Sequence, residues 1–247
     1  FDGFRILQIS DLHNKAFGKE QKPLAGWMRR AAPDVVVITG DLIDSRHPGR
    51  RAAMECIKAA LALAPVYYVP GNHEARSEEY PELRTELLQA GVQLLEDRKA
   101  LLKRGEEELV LAGVRDPRFW QQSGEIREWK SDCFVEQLET LCREPRFTVL
   151  LAHQPGYLPA YVQAGADVVL CGHVHGGVVR LPGIGGVFGP DRRFFPRYDA
   201  GLYQMGNTQM AVSRGLGGSV LPQRLFNRPE LVLVTLHRNS PSGCAGS

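Results

Sequence analysis

The sequence predicts an α/β fold in which a parallel-rich sheet alternates with amphipathic helices, and three observations lead there. Short apolar, β-branched runs recur at Phe4 to Ile9, Asp34 to Thr39, Val66 to Val69, Phe147 to Leu151 and Asp167 to Cys171. Runs of that length without alternation are read as strands buried on both faces. Longer segments with apolar residues at helical spacing lie between several of them. Each of the five runs ends in a cluster of Asp, Asn or His, and the carboxyl edge of such a sheet is where open α/β folds bind ligands.

With 247 residues, 43% hydrophobic and 23% charged, the chain is long enough for a sizeable core. It is read as one domain over residues 1–240 with a disordered tail over 241–247. A net charge of +2 lacks the concentrated basic signature of phosphate-backbone binding, so duplex nucleic acid is not an expected partner. The five cysteines are odd in number, scattered and without a C-x-x-C pair, which disfavours both a disulfide framework and a thiolate zinc site. No apolar run approaches the ~18 residues of a membrane span. The chain opens without Met and is already in a strand by Phe4, so an upstream anchor or signal is part of the expectation.

In order along the chain, Phe4 to Ile9 delivers Asp11 and His13 at its end. Lys19 to Ala32 follows as a helix starting near Pro23, with Leu24, Trp27, Met28 and Ala31 on one face. Asp34 to Thr39 leads into Gly40, Asp41 and Asp44. The next helix, Gly49 to Ala64, is stopped by Pro65. Val66 to Val69 runs into Asn72, His73 and Glu74, and the helix from Glu78 to Ala90 closes at Gly91. Strands are predicted at Val92 to Leu95, Ala100 to Lys103 and Glu108 to Ala112, the last two as a hairpin. Arg115 to Lys130 reads as an irregular loop, and Asp132 to Arg143 as a helix. Phe147 to Leu151 is followed at once by His153, and Asp167 to Cys171 by His173 and His175. Tyr203 to Met205, Gln209 to Ser213 and Leu231 to Leu236 close the chain as strands.

Five strand ends thus carry Asp11 and His13, Asp41, Asn72 and His73, His153, and His173 with His175, and five of the seven histidines fall there. In a parallel sheet these ends share one edge, so the side chains can converge on one cleft. Imidazole, carboxylate and amide ligands without thiolate suit two divalent ions such as Mn, Fe or Zn. There are too many ligands for one ion. The natural partition is a dinuclear centre that clamps the oxygens of a phosphoryl group in transfer. His47 and His237 lie outside the blocks and are read as surface residues.

The ordered set Asp11-Leu12-His13, Gly40-Asp41, Gly71-Asn72-His73-Glu74, His153 and Gly172-His173-Val174-His175 resembles the five-block signature of the calcineurin-like metallophosphoesterases. The resemblance implies a four-layer αββα sandwich of two mixed β-sheets flanked by helices. It also implies that Asp11, His13, Asp41 and His175 hold one metal, and Asp41, Asn72, His153 and His173 the other, with Asp41 as the bridge. The nucleophile would be a hydroxide held between the ions. His73 would not ligate but act beside the leaving group as general acid or charge stabiliser, its ring held by a carboxylate, with Asp44 the first candidate and Glu74 the second.

Ser45 stands where the family's protein phosphatases carry Arg, which disfavours a phosphoprotein substrate. Downstream, Leu181-Pro182, Phe195-Pro196, Asp199-Ala200-Gly201, Gly206-Asn207-Thr208 and Ser213-Arg214-Gly215-Leu216-Gly217 resemble the bacterial membrane-associated phosphodiesterase branch. That branch includes UDP-2,3-diacylglucosamine pyrophosphohydrolases and other cell-envelope phosphoesterases. The resemblance implies hydrolysis of a phosphodiester or pyrophosphate in a lipid-linked or nucleotide-sugar substrate, at the membrane or cell envelope, with the cytoplasmic face open as an alternative. The competing readings are a nuclease or cyclic-nucleotide phosphodiesterase on the same site, and a metal-binding scaffold without activity. The loop Val178 to Tyr198 places Leu181, Ile184, Val187, Phe188, Phe194 and Phe195 among Arg180, Arg192, Arg193 and Arg197. Those apolar groups either fold back as a satellite core or form an exposed, cationic lip for an acyl chain or a membrane surface.

Overall fold

A computed structural model of the protein describes residues 1–123, 131–177, 179–181, 183–189, 194–218 and 224–238. The expected tail over 241–247 and the loop residues Val178, Arg192 and Arg193 lie outside the described residues. The elements in order are β1 (Phe4–Ile9), α1 (Lys22–Ala31), β2 (Val35–Thr39), α2 (Arg51–Leu61), β3 (Val66–Val69), α3 (Asn72–Arg76), α4 (Tyr80–Ala90), β4 (Gln93–Leu94), β5 (Arg98–Arg104), β6 (Glu107–Gly113), α5 (Arg118–Ser123), α6 (Ser131–Cys142), β7 (Thr148–Leu151), α7 (Leu158–Ala164), β8 (Val168–Cys171), β9 (Arg180–Leu181), β10 (Gly185–Gly186), β11 (Gly201–Met205), β12 (Thr208–Val212) and β13 (Val232–Leu236).

Two large mixed sheets carry the chain. One runs β13-β1-β2-β3-β4 and the other β11-β12-β8-β7-β6-β5. Strands β1 to β4 are parallel, as are β6, β7, β8 and β12, while β13, β11 and β5 close the edges antiparallel. Alternation along the strands divides the apolar residues into layers. Ile6, Val35, Val37 and Val69 of the first sheet meet Leu111, Val149, Leu151 and Leu170 of the second. Leu7, Ile9, Val36, Ile38 and Tyr68 face the opposite way, toward Leu24 and Met28 of α1, Ile57 of α2 and Leu83 and Leu87 of α4. Ala112, Leu150, Val169 and Met210 pack against Phe134 and Leu138 of α6 and Tyr161 of α7. Helix, sheet, sheet, helix is the four-layer sandwich, and each large apolar side chain buried in it contributes roughly 1.5–3 kcal/mol.

The structure departs from the sequence expectation in several elements. Helix α7 is not among the predicted elements; its Pro159 lies in the first turn, where its missing N–H costs nothing. The segment expected as an irregular loop from Arg115 to Lys130 opens with α5. The strand expected over Val92 to Leu95 is only two residues long, and the hairpin extends to Arg98–Arg104 and Glu107–Gly113. The loop after His175 contains the small hairpin β9-β10.

Candidate metal centre

The site sits where the carboxyl ends of β1, β2 and β3 meet those of β7 and β8 across the sandwich. Below it, Gln8 Nε2 donates to Thr39 Oγ1 at 2.9 Å and to Cys171 O at 2.8 Å, tying three strands of the two sheets together. His153 crosses the same gap, its Nδ1 2.8 Å from Thr39 O. That bond places a proton on Nδ1 and leaves Nε2 facing the site. Gly40, at φ 90°, lies so close that a Cβ there would sit 2.6 Å from His153 Nδ1.

Five residues of the predicted constellation occupy the left-handed backbone region: Asp11 (φ 52°), His13 (47°), Asp41 (52°), His173 (71°) and His175 (53°). For residues with a Cβ this conformation costs of order 1–2 kcal/mol each. It turns successive side chains inward at the strand ends, and cross-loop bonds hold it there. Asp11 N donates to Gly40 O and His13 N to Asp41 O, both at 3.0 Å. His173 N donates to Asp11 Oδ1, also at 3.0 Å. Concentration of such backbone at one edge is a mark of a functional site.

The structure brings every predicted ligand to that edge. Asp11, His13 and His175 form one group of ligand atoms within 4.8 Å of one another, and Asp41, His153 and His173 form another. His13 Nε2 and His175 Nε2 are 3.0 Å apart, and Asp11 Oδ1 is 3.5 Å from His175 Nε2. His153 Nε2 lies 3.1 Å from Asn72 Oδ1 and 3.2 Å from His173 Nδ1. Asp41 Oδ2 is shared, at 3.6 Å from His13 Nε2 and 3.2 Å from His153 Nε2. All are buried except His173, which is half-buried.

These residues fit divalent ions on their donor chemistry. Asn72 turns its carbonyl oxygen to the imidazole nitrogens of His153 and His173 and its NH2 to donors, Arg76 and the His73 N–H. On the NH2 side donor faces donor, and on the oxygen side the cationic His153 can donate whereas the neutral His173 ring need not; turning the amide over would let it hydrogen-bond His173 and accept from Arg76. A cation on the oxygen side makes the inward oxygen the favoured one. Burial holds His13 and His173 down to about 3, so their rings are neutral with lone pairs to offer. Burial pushes Asp11 up to about 6. Burial also disfavours the charge on Asp41, but His153, His13 and His73 outweigh it and hold the carboxyl well below its usual range.

His153 carries the positive charge this arrangement demands. Burial works against its imidazolium, yet Asp41, with Asp11 and Asp116, pushes the ring up to about 10. A pKa raised above the ordinary value means that the folded site holds this proton at neutral pH. Loading with Mn²⁺ at pH 7.5 should therefore release about one proton per chain. Calorimetry in two buffers of different ionisation enthalpy measures it, and a heat independent of buffer would remove His153 from the ligand set.

The two candidate carboxylates separate cleanly. Asp44 Oδ1 lies 3.1 Å from His73 Nδ1 and is held there by Arg46. Burial opposes its charge, but the Arg46 and His47 contacts outweigh it and keep the carboxyl far below the usual range. Glu74 instead accepts the backbone N–H groups of Asp41, Leu42, Ile43 and Gly71 at 2.7–3.1 Å. It locks the Asp41 loop to the Asn72 loop, and its hydrogen bonds among the described residues go to backbone rather than to the His73 ring. Glu74→Ala should lower the melting temperature and weaken metal affinity by roughly 10–100-fold. Unchanged values in a thermal scan and a metal titration would contradict that role.

His73 is buried and its ring stands edge-on to His13, centroids 4.5 Å apart. Ser45 N and Ser45 Oγ lie 3.1 and 3.2 Å from His73 Nδ1, the same nitrogen that faces Asp44 Oδ1 at 3.1 Å. With His13 and Asp41 it makes a third group of ligand atoms within 4.8 Å. His47 and His237 are surface side chains, 79% and 72% exposed.

Several site neighbours escaped the sequence reading. Arg224 NH2 lies 3.2 Å from His175 Nδ1, with Arg214 O and Gly217 O holding the guanidinium. Asn227 Nδ2 donates to His175 O at 2.5 Å. Arg76 Nε donates to Asn72 O at 3.0 Å, and buried Asp116 accepts from Gln154, beside His153. Arg76 abuts the Asn72 block and was within reach of the pattern. Arg224 and Asn227 come from a distant segment with no such signal.

The pattern of the calcineurin-like phosphoesterases matches residues 4–177, a span that holds every one of the clustered residues. The chain belongs to that family. It is a metal-dependent phosphoester hydrolase with clustered His and Asp groups able to bind metal. The metallophosphoesterase YkuE of Bacillus subtilis is 26% identical over 243 residues, covering 96% of this chain and 80% of its own length. Phosphodiesterase YaeI of Escherichia coli is 27% identical, covering 94% and 82%. A transmembrane protein with a metallophosphoesterase domain from Danio rerio is 28% identical, and this chain spans 53% of its length. Among solved structures, NAD nucleotidase of Haemophilus influenzae shares the fold with a TM-score of 0.54 at 13% identity, over 86% of this chain and 45% of that one. No helix among the described residues is long and apolar enough to cross a membrane.

Proposed function

We propose that the phosphoesterase is a dinuclear phosphodiesterase or pyrophosphatase acting on a lipid-linked or nucleotide-sugar substrate of the cell envelope. One observation carries the dinuclear part: Asp41 Oδ2 stands between His13 Nε2 and His153 Nε2 at 3.6 and 3.2 Å, a single carboxylate joining two donor sets. Asp11, His13, Asp41 and His175 would hold one ion, and Asp41, Asn72, His153 and His173 the other, with Mn, Fe or Zn suited to these donors. Such ions supply Lewis-acid charge and an acidified water.

The chain's own groups do the rest. Asp11 and Glu74 fix the loops that present the donors. Ser45 and Asp44 gather at His73 Nδ1, which leaves Nε2 clear of those contacts, and from there the imidazolium could give its proton to a leaving-group oxygen or bond a phosphoryl oxygen. Asp44 positions the same ring. Ser45 also occupies the place of the arginine found in protein phosphatases, which favours a diester or pyrophosphate. The chain's relative YaeI, a phosphodiesterase, supports the same choice.

The test is hydrolysis of a bis(aryl) phosphate against the aryl monoester, with Mn²⁺ and with chelator. Metal-dependent turnover that prefers the diester is expected. Preference for the monoester would overturn the substrate class, and metal binding without turnover of either would make the chain a scaffold.

A further inference from the structure

Short segments come together beside the loop that carries His175. Val179 bridges Leu225, and Arg180 N donates to Leu225 O at 3.1 Å. Phe188 bridges Phe194, and Phe195 N donates to Val187 O at 2.9 Å. The bond from Asn227 to His175 O and one from Arg180 NH1 to Gly176 O at 2.8 Å fasten this assembly to the candidate site. Its apolar side chains divide. Val187 and Phe188 are half-buried, whereas Ile184, Phe194, Phe195 and Phe226 are 64, 70, 63 and 68% exposed. Leu181, Ile184 and Phe226 also line an open cavity of about 450 Å³ whose polar wall is the Arg180–Asp199 pair.

Phe195 and Phe226 have φ of 52° and 53°. A bulky side chain in that region is strained, and exposed rings return little burial energy to the fold. Strain and exposure fall on the same two residues, so their use lies outside the packing of this chain. The surrounding charge is basic. Asp199 is bonded to Arg180 and Glu230 to Arg214, while exposed Arg197 and Arg228 have no carboxylate partner among the described residues.

We propose that this face docks on an anionic lipid bilayer, with Ile184, Phe194, Phe195 and Phe226 entering the headgroup–acyl boundary and Arg197 and Arg228 meeting lipid phosphates. Insertion into a bilayer needs no complementary shape, only protruding apolar side chains flanked by cations. The surface adjoins the His175 loop, so a docked enzyme meets a lipid-linked ester at its site; in that purpose the proposal rests on the reading given above.

Vesicle co-sedimentation tests it without turnover, so the two readings can fail separately. The protein should bind vesicles of mixed phosphatidylglycerol and phosphatidylcholine, and several-fold less with phosphatidylcholine alone or in high salt. The triple variant Phe194→Ser, Phe195→Asn, Phe226→Asn should lose at least roughly tenfold in partitioning. Asn tolerates left-handed backbone, so the variant should still fold, losing the edge-on contact of Phe194 with Phe188, and should still hydrolyse a small soluble diester. Arg197→Glu with Arg228→Glu should erase the preference for the anionic vesicles, and this pair decides the matter if the triple variant does not fold. Absence of vesicle binding by the unmodified protein, equal binding by both variants, or a concentration-dependent dimer dispersed by the triple variant would each overturn the proposal.

Discussion

Replacing Asp41 with Ala is expected to empty both metal positions together and to lower kcat/KM by roughly 10³-fold or more, since it removes the Lewis-acid charge and the clamp on the phosphoryl oxygens at once. The expectation follows from where the carboxylate sits. Asp41 Oδ2 is the only carboxylate oxygen of the described residues that reaches both His13 and His153, and its other oxygen accepts the His73 N–H at 2.8 Å. Asp41→Asn separates the two effects, because the amide oxygen can still accept that N–H while the bridging charge is gone. Both variants should bind less than one ion per chain by elemental analysis. A variant that keeps one tightly bound ion and most of its activity would show that the second donor set is not needed.

Removing the His73 side chain should leave the metal content unchanged and lower kcat by roughly 10²–10⁴, the range expected for losing a positioned proton donor. Burial and the cations of Arg76 and Arg46 hold the ring below its ordinary pKa, while Asp41 and Asp44 pull it up. Acting as an acid, the ring gives up the proton of its imidazolium form, which Asp44 helps to hold. The loss should therefore be large for an alkyl leaving group and small for a nitrophenolate, measured as kcat on a series of diesters with the metal content checked in parallel. Equal losses across the series would assign the ring to phosphoryl-charge stabilisation. Loss of an ion in His73→Ala would instead make His73 a ligand alongside His13 and Asp41.

Much of this site was legible in the sequence because its donors follow buried strands. The apolar runs of β1, β2, β3, β7 and β8 are short and β-branched, so their ends could be located to within a residue or two, and the polar blocks follow directly. The two-sheet arrangement was legible only through the family resemblance: period and composition do not say that β1 to β3 and β7 to β8 lie in different sheets. Helices α3 and α7 are short, five and seven residues, too short for an apolar periodicity to mark them. The role of Glu74 was illegible for another reason. It works on backbone N–H groups, which carry no residue-type signal, whereas Asp44 works on a side chain and was anticipated. Arg224 and Asn227 arrive at His175 from 49 and 52 residues away, a distance over which one sequence gives no pairing.

The most direct test of the dinuclear claim is anomalous diffraction at the manganese edge from crystals grown with Mn²⁺. Two peaks are expected, one among Asp11, His13 and His175 and one among Asn72, His153 and His173, with Asp41 between them and His73 outside both. A single peak at full occupancy, or a peak coordinated by His73 in place of His13, would contradict it.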